Sequence, residues 1–235
     1  MNMMKKSPFF LYVFLVALGV GGSAAAGEYP DPARYEQAIQ HFEAADEREA
    51  PPKGAIVCIG SSTMRGWGHR IQEDLAPLTV IPRGFGGSNM NDVLHFADRV
   101  VIPYEPRAIV LYEGDNDIAS NRVPVKDVLR TFDAFFEKVH AALPECRIYV
   151  LPSKPSPSRW EHWEKMSALN AALKTRCEEN ELLTYIDVAT PMLGEDGTPK
   201  REIFSSDMLH MNDKGYDLWT SVVRPVLMAR EAKAE

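Results

Sequence analysis

Five short apolar runs recur along the chain, with helical patterns between them. The runs are AIVCI (55–59), LTVI (78–81), AIVLYE (108–113), RIYVLP (147–152) and LLTYIDV (182–188). Each is nearly continuous in apolar residues, as a strand covered on both faces must be. In 124–142, Val125, Val128, Leu129, Phe132, Phe136 and Val139 share one helical face. In 159–178, Trp163, Met166, Leu169, Leu173 and Cys177 do the same. A last helix is expected over about 213–230. Tyr35, Ile39, Phe42 and Ala45 mark an earlier amphipathic helix with Pro32 in its first turn. Strand alternating with helix requires parallel pairing through right-handed crossovers. The expected fold is therefore α/β, a three-layer α/β/α sandwich on a five-stranded parallel sheet. Folds of this kind place their sites beyond the carboxyl ends of the strands.

The first 26 residues read differently. Lys5 and Lys6 precede an apolar run, FFLYVFLVALGVGG (9–22), and AAA (24–26) follows with small side chains. That is the pattern of a secretory signal peptide, with cleavage expected after Ala26. The run is short for a membrane span, which needs about 20 apolar residues. An uncleaved anchor is the alternative. The expected organisation is a signal peptide over 1–26 and one domain over 27–235, exported to the periplasm or secreted, with no stable membrane insertion after cleavage.

Formal net charge is −7, and loss of Lys5 and Lys6 takes it to −9. Nucleic acid and anionic lipid reward clustered lysine and arginine, so neither is an expected partner. The three cysteines are Cys58, Cys146 and Cys177. Export permits a disulfide, and Cys146 and Cys177 could lie at one end of the sheet, so the spacing allows a bridge between them. No CxxC or HxxxH spacing suggests a metal site. The DND at 115–117 does not open a calcium loop, because the twelfth position is Lys126. No metal and no cofactor is expected.

The polar and glycine-rich segments sit where the strands end. GSSTM follows the first strand, PRGFGGSNM the second, GDNDIASN the third and SKPSPSRW the fourth; SSDMLHMNDKGY precedes the last helix. A serine hydroxyl is a weak nucleophile until a base takes its proton, and the base needs an orienting acid. Of six histidines, only His210 has a carboxylate three residues before it in such a loop, Asp207. Asp207 could instead cap the last helix and leave His210 as a surface residue. GFGGS offers backbone N–H groups and GDND offers the Asn116 amide to a developing oxyanion. Each could equally be an ordinary turn. The GxSxG elbow of α/β-hydrolases is absent, since position 64 is Met.

Taken in order, these blocks resemble the GDSL/SGNH hydrolase superfamily of lipases and acylhydrolases over roughly 54–225. Gly60-Ser61-Ser62 resembles the family's Gly-Asp-Ser, with Ser61 in place of Asp and Ser62 in the nucleophile's position. Gly87 matches the glycine of the second block, Gly114, Asn116 and Asp117 match Gly-x-Asn-Asp, and Asp207 and His210 match Asp-x-x-His. The following MNDKGY is similar to the family's tail after that histidine. The resemblance implies a flavodoxin-like SGNH fold and a serine esterase. It implies Ser62, Asp207 and His210 as catalytic residues, and an oxyanion hole from Ser62, Gly87 and Asn116. An O-acyltransferase with the same triad and a non-catalytic saccharide-binding module on the same fold are the competing functions. Lys154, Arg159 and Trp160 are expected near the rim of the site, where indole and guanidinium groups suit an acylated saccharide. The competing expectation has Trp160 and Trp163 starting a helix and packing inward. The expected substrate is a small-molecule or saccharide ester, and the sequence leaves the oligomeric state open.

Overall fold

The computed structural model describes residues 28–232, so the expected signal segment lies outside the described residues. Strands β1 (Ile56–Gly60), β2 (Val80–Gly84), β3 (Ala108–Tyr112), β4 (Arg147–Leu151) and β5 (Leu183–Tyr185) form one parallel sheet in the order β2-β1-β3-β4-β5. Helices α1 (Glu36–Arg48), α2 (Ser62–Trp67), α3 (Ile71–Asp74), α4 (Met90–Val100), α5 (Asp115–Ala119), α6 (Val125–Ala142), α7 (Trp163–Glu178) and α8 (Asp213–Glu231) cover it.

The two faces follow from the two-residue period of a strand. Val57 and Ile59 of β1, Ile109 and Leu111 of β3, and Ile148 and Val150 of β4 pack into one core with α4, α6 and α7. Their alternates, Ile56 and Cys58, Val110 and Tyr112, Tyr149 and Leu151, pack into the other with α2, α3 and α8. Tyr216, Trp219, Val223 and Leu227 form the buried stripe of α8. On α6 it is Phe135, not Phe136, that is fully buried, with Phe136 packed at the edge of the core.

Two strands differ from expectation. Leu78 packs into the core but pairing starts at Val80 and runs on through Arg83 and Gly84, so β2 lies later than 78–81. β5 stops at Tyr185, short of 188, although Ile186 and Val188 are buried. The chain turns away because the Asp187 carboxylate accepts the Ala189 and Thr190 N–H groups, a local turn that competes with the ladder.

The cysteines are free, so the bridge that the spacing allowed between Cys146 and Cys177 is not formed. Cys146 is buried before β4, its carbonyl held by the His140 ring at 2.7 Å. Cys177 lies in the last turn of α7. Each thiol packs as an apolar group, and burial pushes Cys146 and Cys177 up to about 12.

β1 and β3 are adjacent, yet the chain leaves β1 toward β2 on one side and leaves β3 toward β4 on the other. The crevice beyond their carboxyl ends is the topological switch point. Ser61 and Ser62 follow β1 directly, and Asp115 to Asp117 follow β3 after two residues.

Candidate active site

Ser61 caps α2 with extended backbone, and Ser62 is the first helical residue. α2 can lie against the end of β2 because residue 84 is glycine. A Cβ there would stand 2.2 Å from the Arg65 nitrogen. The two serines have opposite environments. Ser61 is wholly buried, and its hydroxyl has no hydrogen-bond partner among the described residues. Ser62 Oγ lies 2.9 Å from His210 Nε2.

The imidazole is oriented from its other side. His210 Nδ1 lies 2.6 Å from Asp207 Oδ2. A carboxylate only accepts, so Nδ1 carries the proton and Nε2 is left to accept from Ser62. Asp207 Oδ1 also accepts the Leu209 and His210 N–H groups, which closes the loop around its own carboxylate. The hydrogen bond from His210 is the main cause that holds the Asp207 carboxyl down, at about 2. The last helix is capped by Asn212, whose side chain accepts from Gly215 N–H, and not by Asp207.

Asn116 sits in the first turn of α5 and is buried. Its Nδ2 donates to the Ser88 carbonyl at 2.7 Å, and its Oδ1 accepts from Arg159 Nη2 at 2.8 Å. Gly87 precedes Ser88 with φ of +86°, a conformation that a side chain would strain. A Cβ there would also stand 2.9 Å from the Tyr35 hydroxyl, which itself donates to the Gly86 carbonyl at 3.2 Å. Asp117 ties the two loops together: it accepts from Gly114 N–H at 3.0 Å, from Met90 N–H at 3.0 Å and from the Tyr29 hydroxyl at 2.9 Å. Ser88 Oγ donates to the buried Glu113 at 2.5 Å. Burial, then the neighbouring Asp117 charge, raises the Glu113 carboxyl well above its usual range.

Of the expected rim residues, Lys154 and Arg159 are more enclosed than expected. Lys154 is 1 % exposed and lies beneath the site, with Nζ donating to Thr63 Oγ1 at 2.9 Å and to Asp115 Oδ2 at 3.3 Å. A side chain rooted just past β4, inside the crevice, finds the Asp115 carboxylate before it finds solvent. Burial pulls the Lys154 ammonium below the usual lysine range, against the attraction of Asp115. Burial also opposes ionisation of Asp115, but Lys154 and Arg159 outweigh it and hold the carboxyl below its usual range. Arg159 is engaged with Asp115 and Asn116 and is not an open anion receptor. Trp160 is exposed and stacks on Trp163, with ring centroids 5.8 Å apart, while Trp163 packs against the core. The two indoles therefore divide between the two expectations.

An open cleft of about 440 Å³ adjoins Ser62 and His210, lined also by Arg65, His69, Asp213 and Tyr216. A more apolar groove of about 550 Å³, with Tyr35, Phe42 and Phe85 in its wall, shares Arg65 with it. Arg65 was not singled out by the sequence patterns. Its position three residues after Ser62, on one helical face, is the signal that could have found it. Among the described residues, no group of His, Cys, Asp and Glu is placed to hold a metal ion, and no helix is long and apolar enough to cross a membrane.

A hydroxyl, an imidazole and a carboxylate in hydrogen-bonded sequence can activate an oxygen nucleophile. The Ser62 N–H, first in its helix, has no intrahelical acceptor, and one Asn116 amide hydrogen is not used by Ser88. Comparison with known proteins agrees with this chemistry. Residues 20–218 match the model of the GDSL-like lipase/acylhydrolase family. No curated protein matches the chain. Among solved structures, a Streptococcus pneumoniae protein whose description names platelet activating factor superposes with a TM-score of 0.72 at 22% identity, covering 83% of this chain and 94% of that one. A GDSL-like lipase from Bacteroides thetaiotaomicron gives 0.71 at 20% identity, covering 84% and 98%. A carbohydrate esterase family 3 protein from Talaromyces cellulolyticus gives 0.56 at 15% identity, covering 76% and 97%. At these identities the superpositions show the shared fold.

Proposed function

Because this chain belongs to the GDSL-like lipase/acylhydrolase family, we propose that it is an exported serine esterase that cleaves a carboxylic ester through an acyl-serine intermediate. The observation that carries the reading is the chain of hydrogen bonds from Ser62 through His210 to Asp207, at 2.9 and 2.6 Å.

In the proposed mechanism, His210 Nε2 takes the proton from Ser62 Oγ as the oxygen attacks the ester carbonyl. Asp207 holds the ring in the required tautomer and stabilises the imidazolium that forms. Negative charge develops on the former carbonyl oxygen, and the Ser62 and Gly87 N–H groups and the Asn116 amide meet it. His210 returns its proton to the departing alcohol. A water molecule, deprotonated by the same imidazole, then releases the acyl group and restores Ser62.

The substrate we propose is a short-chain ester or an acetylated saccharide. The cleft at Ser62 is open and carries Arg65, His69 and Asp213 in its wall, which suits a polar ester, and the exposed Trp160 offers a face on which a sugar ring can stack. The name of the T. cellulolyticus neighbour fits the same substrate class. Export rests on residues 1–26.

Turnover of p-nitrophenyl acetate by the wild type, and its loss in Ser62→Ala, tests the reading. Equal activity in both proteins would remove Ser62 as the nucleophile and overturn the reading; activity in neither would overturn it in favour of a binding module. Acyl transfer to added sugars, in preference to water, would make the enzyme a transacylase with the same triad. Initial rates on acetylated saccharides and on p-nitrophenyl esters of rising chain length then locate the substrate; rates that climb with chain length would count against the short-chain assignment.

A further inference from the structure

We propose that Arg159 is a positioning residue that holds the Asn116 amide in its oxyanion-donating orientation. The inference rests on the esterase reading above.

A primary amide presents a donor end and an acceptor end of nearly the same shape. Its usefulness in an oxyanion site depends on which end faces the cleft. Both ends of Asn116 are read by groups with a single role. Guanidinium only donates, so Arg159 Nη2 at 2.8 Å must face Oδ1. The Ser88 carbonyl only accepts, so at 2.7 Å it must face Nδ2. A rotated amide would set oxygen against oxygen on one side and nitrogen against nitrogen on the other. With both partners present one orientation survives, and the second Nδ2 hydrogen is left for the substrate oxygen. Withdrawal of electron density toward the cation also makes that hydrogen a better donor.

Arg159 is itself fixed. Its Nη1 lies 3.2 Å from Asp115 Oδ2, and the same oxygen receives the Tyr112 hydroxyl at 3.1 Å and Lys154 Nζ at 3.3 Å. One buried cation, Lys154, and one half-buried cation, Arg159, thus face the carboxylate of the residue before Asn116. Arg159 lies in the 3-10 turn Pro157–His162, whose Ser158 N–H donates to the Met208 carbonyl at 3.1 Å. That carbonyl belongs to the loop bearing Asp207 and His210. One short turn therefore braces the oxyanion donor through a side chain and the general-base loop through its backbone.

The test is a double-mutant cycle on p-nitrophenyl acetate, with Arg159→Ala, Asn116→Ala and the pair. Arg159→Ala is expected to lower kcat by about 10–100-fold, with KM changed less than about threefold, because a misplaced donor forfeits part of the 10²–10³ that a missing one costs. The pair is expected to be no slower than Asn116→Ala alone, since the residue acts through that amide. Arg159→Lys, which keeps the charge and one donor, should recover part of the loss; it also serves if Arg159→Ala does not fold. A second readout needs no turnover. The Asn116 side-chain amide protons, observed by ¹⁵N-edited NMR, should be sharp and slowly exchanging in the wild type, and broadened and fast-exchanging in Arg159→Ala. Losses that multiply in the pair, an unchanged kcat in Arg159→Ala, or unchanged Asn116 amide signals would overturn the proposal. Absence of ester turnover in the wild type would instead sink the esterase reading, and the amide signals would still decide the role of Arg159.

Discussion

His210 Nε2 stands 2.9 Å from Ser62 Oγ although 148 positions separate the two residues. Ser61, the residue next to Ser62, points its hydroxyl into the protein and is 0 % exposed. Ser62→Ala should therefore lower kcat/KM on p-nitrophenyl acetate by at least about 10³-fold. Ser61→Ala should keep activity within a few-fold. It also removes a buried hydroxyl that has no hydrogen-bond partner among the described residues, so its thermal midpoint should be unchanged or higher. An inactive Ser61→Ala beside an active Ser62→Ala would move the nucleophile by one position.

Asp207→Asn separates orientation from folding. The amide oxygen can still accept the Leu209 and His210 N–H groups that Asp207 Oδ1 accepts now, so the loop should hold and the melting temperature should move little. The amide nitrogen would face His210 Nδ1, and a donor there forces the proton onto Nε2, where it confronts the serine. A fall in kcat of about 10³–10⁴ is expected. Retained activity in a folded Asp207→Asn protein would remove the carboxylate from the mechanism.

Lys154→Met tests the placement of this side chain beneath the site. It leaves Asp115 with less compensation and Thr63 Oγ1 without the donor it has now. Removing one member of a buried ion pair costs about 3 kcal/mol, readable by denaturant unfolding. A saccharide-contacting lysine at the rim would behave otherwise, raising KM for the sugar ester while leaving stability alone.

Stability should rise as pH falls from 7 to 5. Burial pushes Asp92 and Asp117 up to about 6, beside the glycine loop and the Asn116 helix. A carboxyl with a raised folded-state value binds its proton more tightly folded than unfolded. It therefore favours the unfolded chain increasingly as pH rises from about 4 through 6. The melting temperature at pH 5 should exceed that at pH 7 by roughly 3–8 °C. Asp92→Asn should reduce this difference without abolishing it, because one raised carboxyl is removed while Asp117 still titrates. Below that range the sign reverses, as Asp115, Glu231 and Asp207, all held low, take up protons. A melting temperature that rises steadily from pH 5 to 7 would contradict the burial of these two carboxyls.

The layer order and the site's address were legible in the sequence. Near-continuous apolar runs such as AIVCI set the parallel sheet, and helical spacing in 124–142 and 159–178 set its covering layers. Those signals are local periodicities, which burial on both faces or on one stripe imposes on any chain. The Asp207–His210 pair was legible too, because its geometry is built within a three-residue span. The ends of β2 and β5 were not, since strand length depends on where a neighbour stops pairing and a turn such as that at Asp187 begins. The environments of Lys154, Arg159 and Ser61 were decided only by the tertiary structure. A lysine and an arginine in a polar loop read as rim residues until the fold sets the Asp115 carboxylate within 3.3 Å of both. Partners of that kind come from register, crossover and side-chain rotamer together, and no spacing along the chain encodes them.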